Sequence, residues 1–596
     1  MKNETLSGLL NGYESTTPEG GERFYCRSIS GSPVVKRRGR LSRLVNSVIE
    51  RFTDIISYSS TRAFGMFFVG FGLLSLLLHF TNDYFSNDEV LLYVLLSCTL
   101  ISILGVVFLV FDKPIAIAFQ EFAPTDFIFF EFFCIKRMPR KEDAPRLSPI
   151  FGLVFGMLLA VLGILIPFQY VILCLVAIIS ITVTMMSTEF GYFVTFLALP
   201  YLDYIPHSDI VLAVLVAVTF LSFIRKVVMG KRVYSFEQYD LVIALFALFV
   251  LISGVFVKGL ESFSSSVFLC LMACGYPLSS SLITNRRLAD CMMNAIIVSS
   301  IPATVIAISQ GIAGLTRGVF GGVSGSFSSP NELALFLLVS SIFTLYYIRV
   351  NKSAWVKALY AVFFLLSFVA LVFVGDLWVF ITGLFALLAY GATKLQRFSG
   401  IATVGICAAP SLLVFLPASF LTSISRIPVI SLLELDEYAV RWQSSLRMLL
   451  DNIFVGIGIG PDCFREEIGS YDIGADYRDS GSFFLEIGVE AGIFALLAFL
   501  ILFLIRLRHR SSYTRFLKRS QVRLLSRFSA VALVALIVFG SFDYIWSDPS
   551  AIYLFWCVFG ASSASLRVSR QNYDDYVGYY SDGRSDDSSA VDVEIG

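Results

Sequence analysis

The sequence predicts an all-α polytopic integral membrane protein with about 14 (12–16) transmembrane helices and one large extracytoplasmic loop. Three observations predict this fold: an apolar composition, a series of long uncharged runs, and a one-sided distribution of lysine and arginine. Of 596 residues, 56% are hydrophobic and only 15% are charged, whereas a soluble domain has about 25% charged residues. So few charges cannot cover a water-facing surface, which excludes an ordinary soluble enzyme, a disordered chain and a nucleic-acid binder.

Long uncharged runs recur along the whole chain. A helix needs about 20 apolar residues to cross a hydrocarbon core of about 30 Å. Sixteen runs approach that length. The third to fifth, the twelfth and the last two runs could merge with a neighbouring run or form re-entrant segments. About twelve spans are expected if they do. The runs are residues 64–80, 89–111, 149–166, 168–187, 190–203, 208–224, 239–257, 262–282, 290–311, 331–348, 355–374, 377–391, 399–420, 482–505, 526–542 and 550–567.

Lysine and arginine distinguish the two sides of these runs, because short cytoplasmic loops collect positive charge. With the N-terminus inside, every inner segment except the insecure joint at 188–189 carries Lys or Arg, and the outer segments are mostly acidic or neutral. Both termini are therefore predicted to be cytoplasmic, in a multi-pass protein of the cytoplasmic (inner or sole) membrane. The inner segments are 112–148, 225–238, 285–288, 349–354, 392–398 and 506–525, and the outer ones are 81–88, 203–208, 258–261, 312–330, 376, 421–481 and 547–550.

Five regions follow from this pattern. No apolar core precedes the basic patch at 36–43, so the patch is not predicted to be part of a cleaved signal peptide. Its positive charge predicts a cytoplasmic anchor that also touches anionic lipid. The acidic end of the chain is predicted to be a solvated tail, with tyrosine phosphorylation or partner docking as the alternative. The regions are a basic cytoplasmic tail at 1–62, transmembrane helices at 63–420, the extracytoplasmic loop at 421–481, closing transmembrane helices at 482–567 and an acidic, tyrosine-containing cytoplasmic tail at 568–596.

The reactive residues exclude several kinds of site. Seven of the ten cysteines lie in apolar runs and only Cys463 is on the outer side, so no disulfide framework is expected. The three histidines are far apart along the chain, and no P-loop, dinucleotide-binding glycine pattern or nucleophile elbow occurs in a suitable setting. We therefore expect no metal and no cofactor, with energy supplied by the substrate or by a gradient.

The outer loop at 421–481 is far longer than the other outer loops, which indicates a placed domain. Residues 440–452 predict an amphipathic helix, because Trp442, Leu446, Leu449 and Leu450 recur at three- and four-residue spacing. Such a helix can lie in the outer membrane interface. A glycine-rich turn follows at 456–464, and Asp479 then precedes an apolar helix.

Three short patterns spread over residues 316–565 resemble one known family. The first is an Arg-Trp pair, a short helix, a Gly-x-Gly-x-Gly turn and a Leu-x-x-x-x-Glu-x-Gly helix, and the second is an Arg-x-x-Gly…Pro-Asn element. The third is the closing segment DYIWSDPSAIYLFWCVFGASSAS. The residues concerned are Arg441, Trp442, Gly456, Gly458, Gly460, Leu485, Glu490, Gly492, Arg317, Pro330 and Asn331. These patterns resemble the bacterial O-antigen ligase and polysaccharide polymerase superfamily.

The resemblance implies a bundle of transmembrane helices whose outer loop caps a lipid-lined cavity. It also implies glycosyl transfer from a polyprenyl-diphosphate donor, without nucleotide sugar or metal. Ligases of this family typically begin the helix after the loop with His-Asn, where this chain has Gly481 and Ser482. Asp-Ser-Gly before an apolar helix is more similar to the polymerase branch. The expected partners are a polyprenyl-diphosphate-linked glycan, membrane lipids and envelope-polysaccharide assembly proteins, and no nucleic acid.

Guanidinium groups suit the leaving diphosphate, since they stay protonated and bind phosphate oxygens bidentately. Arg441 and Arg447 lie about 120° apart around a helix, so they cannot grip one phosphate together and Arg441 is paired with Arg317 instead. For each arginine, the alternative is an interfacial position or a salt bridge within the loop. The candidates for diphosphate binding are Arg317, Arg441, Arg447 and Arg478, with Arg426 and Arg465 behind them.

A sugar hydroxyl becomes a better nucleophile when a carboxylate accepts its proton. Asp479 is the first choice for this base, and Glu486 and Glu490 follow because acids inside an apolar span usually face protein or water. The alternatives are helix capping by Asp479 and burial of the glutamates against an arginine. Asn331 is predicted to be a helix cap or a ligand, and Asp376 a turn cap or an acceptor-sugar ligand. Positioning roles are expected for Asn331, Trp442, Gly456, Gly458 and Gly460.

The sequence leaves two other classes of function open. A lipid-linked glycan flippase or secondary transporter would also have many spans, although such folds are built from internal repeats and none is found in this chain. A structural scaffold for an envelope-assembly complex is the third possibility. The predicted function is glycosyl transfer that polymerises, or ligates, a cell-surface polysaccharide at the outer face of the cytoplasmic membrane.

Overall fold

Helices make up nearly all of the described chain. The computed structural model describes residues 54–582 except 82–87, 134–146, 166–167, 206, 230–231, 233, 235, 258, 285, 394–398, 426–432, 434, 472–476, 514–520 and 545–547, together with 26–27, 33–34, 47 and 51. A two-residue antiparallel ladder pairs β1 (Cys26–Arg27) with β2 (Pro33–Val34). The other regular elements within these ranges are helical.

The α-helices longer than three residues are named here in chain order. They are α1 Thr61–Thr81, α2 Asp88–Val110, α3 Ile115–Glu121, α4 Pro149–Leu165, α5 Phe168–Met186, α6 Thr188–Ala198, α7 Ser208–Val228, α8 Gln238–Phe256, α9 Gly259–Ala273, α10 Gly275–Leu282, α11 Arg286–Thr316, α12 Pro330–Val350, α13 Ala354–Val374, α14 Leu377–Ala392, α15 Ser399–Ser411, α16 Ala418–Ser425, α17 Leu435–Asp451, α18 Pro461–Ile468, α19 Phe483–Tyr513, α20 Gln521–Gly540 and α21 Pro549–Asp582. Shorter helical pieces are Ala123–Thr125, the π-helical Asp126–Phe132, and the 3₁₀ turns Leu199–Tyr204, Leu412–Phe415 and Gly469–Tyr471.

Nine helices of the described residues are long and apolar enough to cross a membrane, or ten if one pair bent by 106° (Ile401–Phe415 with Ser419–Ser425) forms a single span. The prediction of an all-α multi-pass membrane protein is therefore confirmed, whereas the total of about 14 spans stays a prediction. The nine spans are Thr61–Leu78, Ser208–Val228, Gln238–Phe256, Gly259–Leu282, Arg287–Thr316, Pro330–Val350, Ala354–Val374, Phe483–Ile505 and Pro549–Arg567. Five shorter apolar helices are Val94–Val110, Pro149–Gly163, Val176–Met186, Leu377–Ala392 and Leu524–Gly540.

The spans differ in how much of their surface other helices cover. Only 22% of Ala354–Val374 is buried in the protein, against 94% of Pro549–Arg567. Because a lipid-facing helix needs no protein cover for its apolar side chains, α13 lies at the periphery and the first part of α21 lies at the centre. Around that centre the core is rich in aromatic rings, such as the contacts of Trp556 with Phe246 and Phe555.

The first helices form a packing unit of their own. Helices α1, α2 and α4 approach closely at glycines, and a Cβ on Gly105 of α2 would lie 2.8 Å from the backbone nitrogen of Val69 on α1. Small residues at such positions let membrane helices pack backbone against backbone. A small core of Phe71, Val94, Cys98 and Ala160 is separate from the main core.

Polar contacts join the loops at two opposite sets of helix ends. In one set, the Lys226 and Arg232 side chains pair with Glu189, and Arg567 pairs with Glu237. Lys226, Arg232 and Glu237 lie in the segment 225–238, which is predicted to be inner, and Glu189 lies at the joint at 188–189. The other set, called the site end here, joins five segments: 203, 322–330, 374–376, 435–492 and 541–549. These segments overlap the predicted outer segments or adjoin them at the ends of predicted spans, and which side of the membrane they face stays a prediction.

Candidate functional site

Helix α17 forms the centre of the long loop. It begins at Leu435, before the predicted start at 440, and is amphipathic as expected. The Trp442 side chain is only 1% exposed and contacts the Tyr438 ring at a centroid distance of 5.5 Å. Trp442 and Leu449 of the predicted apolar face are thus packed against protein, whereas Leu450 of the same face stays exposed, as does Val440.

Arg441 and Asp479 form an ion pair that ties α17 to the end of the loop. The Nε of Arg441 donates to the backbone oxygen of Asp479 at 2.6 Å, and Nη2 donates to its Oδ1. The guanidinium also lies over the ring of Tyr477, 5.0 Å from the centroid. Both charged side chains are largely buried, with 17% and 21% exposed, so the pair is screened less than a surface salt bridge. Nη1 has no hydrogen-bond partner among the described residues.

Gly481 occupies the position at which the resemblance expects histidine. Its φ is +66°, a left-handed conformation that favours glycine, and its backbone nitrogen donates to Asp479 Oδ1 at 2.8 Å. A Cβ there would lie 3.2 Å from Arg441 Nη1 and from Tyr438 Cε1. This chain therefore has little room at position 481 for a side chain that could serve as a base.

The other three candidate arginines are exposed. Arg317 follows the end of α11, and its backbone nitrogen donates to Gly314. Within the described ranges, the side chains of Arg317, Arg447 and Arg478 make no hydrogen bond or ion pair, and none of them is linked to Arg441 in this way. The structure thus places Arg441 beside Asp479, one of the three predicted carboxylates, and does not join the other arginines to any of them. The pairing of Arg317 with Arg441 stays a prediction.

The glycine-rich turn is fitted against a break in α19. Gly492 has a φ of +82°, which interrupts the helix and leaves nearby backbone groups without their usual partners. The turn replaces those partners: Ile457 nitrogen donates to Val489 oxygen at 2.9 Å, and Ile493 nitrogen donates to Ile453 oxygen at 2.8 Å. Broken helices at membrane depth need such replacement, because an unsatisfied peptide group in an apolar medium is costly.

Glu490 links the turn, the broken helix and the loop before α21. Its Oε1 accepts from the backbone nitrogen of Gly460 and its Oε2 accepts from the hydroxyl of Tyr544, both at 2.9 Å. Its backbone oxygen accepts from Ser253 Oγ at 2.7 Å. Each carboxyl oxygen of this buried residue is already used, so the arrangement suits a positioning role for Glu490.

Glu486 is fully buried one helical turn before Glu490. Its Oε2 accepts from the backbone nitrogen of Ser480, which places the carboxyl beside the turn that contains Asp479. Its Oε1 has no partner among the described residues, and neither do the nearby Ser482 Oγ and the Trp442 indole nitrogen. Buried polar atoms of this kind are normally satisfied, so this turn offers positions for a polar ligand or water.

Asp543 lies in the loop between α20 and α21 and completes the group around Arg441. Burial and the neighbouring carboxylates of Asp479, Asp376 and Asp548 raise the pKa of Asp543 to about 7, against the opposing charge of Arg441. Burial also raises the pKa of Asp376. The rings of Phe542 and Trp378 stack with their centroids 3.9 Å apart, which holds this loop against the start of α14.

Two helix caps bear on predicted roles. Asp376 Oδ1 accepts from the Trp378 nitrogen at 2.9 Å, so it caps α14, and its alternative role as an acceptor-sugar ligand stays a prediction. The cap of α12 is Ser329, whose Oγ accepts from the Glu332 nitrogen at 3.2 Å. The expectation that Asn331 is the helix cap is therefore wrong, because the helix begins one residue earlier, at Pro330, and the cap residue must precede it.

A second group of carboxylates lies beside that cap. Ser328 nitrogen donates to Asp203 at 2.6 Å, Ser328 Oγ donates to Glu332 at 3.2 Å, and Ser329 Oγ donates to Asp548 at 3.0 Å. Burial raises the pKa of Asp548. No group of His, Cys, Asp and Glu side chains within the described ranges is arranged to hold a metal ion.

Asp543, Tyr544, Glu332 and Asp548 lie at the site end but are not among the site residues that the sequence predicts. Glu332 is an acid inside an apolar run, the same signal that selected Glu486. Asp543 and Asp548 flank a short outer segment between the two closing runs, and an acid at that position is a signal of the same kind.

Comparison with protein-family models gives no match to the chain, and neither does comparison with curated proteins. The family resemblance of the short patterns stays a prediction.

Proposed function

We propose that this protein transfers a glycosyl group from a polyprenyl-diphosphate-linked oligosaccharide to a glycan acceptor, and so polymerises or ligates a cell-surface polysaccharide. The proposal includes about 14 spans, both termini in the cytoplasm and a site end at the outer face of the cytoplasmic membrane. It is a metal-independent reaction driven by release of the lipid diphosphate.

The observation that carries the proposal is one largely buried guanidinium set among carboxylates. In the reaction, a sugar hydroxyl attacks the anomeric carbon and the lipid diphosphate leaves with added negative charge. Arg441 supplies fixed positive charge for that group, because Asp479 holds Nε and Nη2 and leaves Nη1 for a phosphate oxygen. A carboxylate that accepts the hydroxyl proton is available in the same place.

Replacement of Arg441 by Lys tests this role. A lysine keeps the charge but cannot bind Asp479 through two nitrogens and still present a third donor, so we expect kcat to fall roughly 10- to 100-fold. The measurement is elongation of a lipid-linked oligosaccharide by the purified protein in detergent, with no gradient. Gln443→Ala, an exposed position on the same helix, serves as the control and should retain activity. Unchanged product length and rate in the Lys variant would contradict the proposal.

The break in α19 favours a second candidate, a lipid-linked glycan flippase or secondary transporter. Transporters bind their substrates at broken helices, and acids inside spans often mark ion pathways. Here Gly492 interrupts a span that carries the buried Glu486 and Glu490. In proteoliposomes, a flippase would move a labelled lipid-linked glycan between leaflets without changing its bonds, whereas the transferase lengthens it in detergent.

A further inference from the structure

The carboxylates around Arg441 differ in what their oxygens already bind. Asp479 Oδ1 accepts from Arg441 and from the Gly481 nitrogen. Glu490 uses one oxygen for Gly460 and the other for Tyr544. These two candidate bases are therefore engaged in holding the loop and the broken helix.

Three neighbouring acids are engaged as well. Asp376 caps α14, and Asp548 accepts from Ser329. Glu486 accepts from Ser480 and is completely buried, so a bulky sugar has no open surface from which to approach it.

Asp543 is different. Its backbone nitrogen donates to Phe539 oxygen at 3.1 Å, but within the described part of the chain its carboxylate accepts no hydrogen bond. Asp543 is largely buried but keeps part of its surface exposed, and an acceptor hydroxyl would approach through that part. It is also close enough to Arg441 and Asp479 for their charges to act on it.

The position of Asp543 is fixed from both sides. Phe542 stacks on Trp378, and the Tyr544 hydroxyl donates to the buried Glu490. A carboxylate between two anchored neighbours is held in one place without using its own oxygens. Glu486 Oε1 has no hydrogen-bond partner among the described residues and lies beside the turn of Asp479, so it offers a polar contact for a water molecule or a single hydroxyl in this group, although not for a whole sugar.

We propose that Asp543 accepts the proton of the attacking sugar hydroxyl, while Asp479 orients Arg441 toward the diphosphate. This inference rests on the proposed glycosyl transfer. The acceptor oxygen forms a bond to the anomeric carbon, and the bond from that carbon to the diphosphate oxygen breaks with its electron pair on the leaving group. The hydroxyl proton moves to Asp543, which later releases it to water.

The electrostatic surroundings suit a base that works near neutral pH. The groups that act on Asp543 are Asp479, Asp376 and Asp548, which raise its pKa, and Arg441, which lowers it; Tyr438 also faces it. With a pKa of about 7, the residue is mostly protonated below that pH and ionised above it. Only the ionised form accepts a proton, so activity should rise with pH and level off above about pH 7.

The test compares the pH dependence of kcat for four forms of the full chain in detergent: wild type, Asp543→Asn, Asp543→Glu and Asp479→Asn. The substrate is a polyprenyl-diphosphate-linked oligosaccharide. We expect the wild-type rate to rise up to tenfold per pH unit below pH 7. Asp543→Asn should lose roughly 100-fold or more in kcat and lose this rise. Asp543→Glu should keep a rise, and Asp479→Asn should be slower but keep the wild-type rise near pH 7.

The outcomes separate the two proposals. If Asp543→Asn keeps the wild-type pH dependence while Asp479→Asn loses it, the base is Asp479 and the present inference is wrong. If the wild-type protein makes no longer glycan at any pH, the proposed function itself fails and the inference fails with it. Gel-filtration profiles and melting temperatures that match the wild type exclude misfolding, and a working Asp543→Glu variant excludes a purely structural role.

Discussion

Asp479, Asp543 and Glu490 carry the same functional group, but their neighbours give them different chemistry. Asp479 is neutralised by Arg441, and Glu490 is held between Gly460 and Tyr544. The Asp543 carboxylate accepts no hydrogen bond from the described residues, and burial and neighbouring acids raise its pKa. At the scale of single residues, hydrogen-bond partners and burial distinguish a holding residue from a reactive one.

The hydrogen bond between Tyr544 and Glu490 should contribute measurably to the free energy of unfolding. Because both partners are buried and the acceptor is a carboxyl, Tyr544→Phe should lower stability by roughly 1.5–3 kcal/mol. Glu490→Gln should also destabilise, and the two changes should couple by about 0.5–3 kcal/mol in a double-mutant cycle measured by unfolding in mixed micelles.

The matched control for this cycle is Tyr471→Phe. Tyr471 donates to Asp451 at 2.6 Å near the surface of the loop, where water replaces a lost partner. The expected change is below about 0.5 kcal/mol. Equal effects at positions 544 and 471, or additive effects of the two buried changes, would show that Glu490 does not hold the closing loop.

At the scale of elements, the broken helix and the glycine-rich turn act as one unit. The turn supplies the hydrogen bonds that α19 loses at its break, and close approach is possible because no Cβ intervenes. A Cβ on Gly456 would lie 2.3 Å from the oxygen of Glu490, and one on Gly492 would lie 2.4 Å from the oxygen of Phe454. Both glycines also have positive φ angles. Two independent reasons therefore require glycine at each position.

Gly456→Ala is the test of that unit. The left-handed backbone and the backbone clash together should destabilise the protein by about 3 kcal/mol or more. Gly383→Ala is the control, since Gly383 lies within α14 and a Cβ there meets nothing within 4 Å. The control should be neutral or slightly stabilising. Melting temperatures in detergent provide the comparison, and similar values for the two variants would mean that the turn moves freely against α19.

At the scale of the whole molecule, the two sets of helix ends have opposite character. One joins basic side chains to Glu189 and Glu237, and the site end concentrates buried carboxylates around Arg441. Short basic loops favour the cytoplasmic side, so the site end should face outward. The proposed donor and acceptor would then meet on the side where the polysaccharide is assembled.

Labelling of single cysteines tests this orientation. Gln443→Cys lies at the site end and Lys352→Cys lies in the exposed turn between α12 and α13, both in a background without the native cysteines. A membrane-impermeant maleimide should label position 443 in spheroplasts and position 352 only after permeabilisation. The unsubstituted background measures nonspecific labelling. The reverse pattern would place the site in the cytoplasm and contradict the proposed extracytoplasmic reaction.

Local sequence patterns are enough to assign the class of this molecule. Uncharged runs in a bilayer must satisfy their backbone groups internally, so they become helices whatever their neighbours are. The same local logic gave the amphipathic helix of the loop, because a 3.6-residue period needs no knowledge of its partner. Sequence patterns also predict that the candidate site lies among acids and arginines in one half of the chain.

Which of those residues come into contact depends on long-range packing that local patterns do not contain. Arg441 and Asp479 are 38 residues apart, and Glu490 and Tyr544 are 54 apart, so no local period relates them. The same long-range packing buries Trp442 and fits the glycine turn into the break at Gly492, and among the described residues it gives the Asp543 carboxylate no hydrogen-bond donor. Hydrogen bonding and burial set the chemistry of a carboxyl group, and both depend on groups that folding brings from distant parts of the chain.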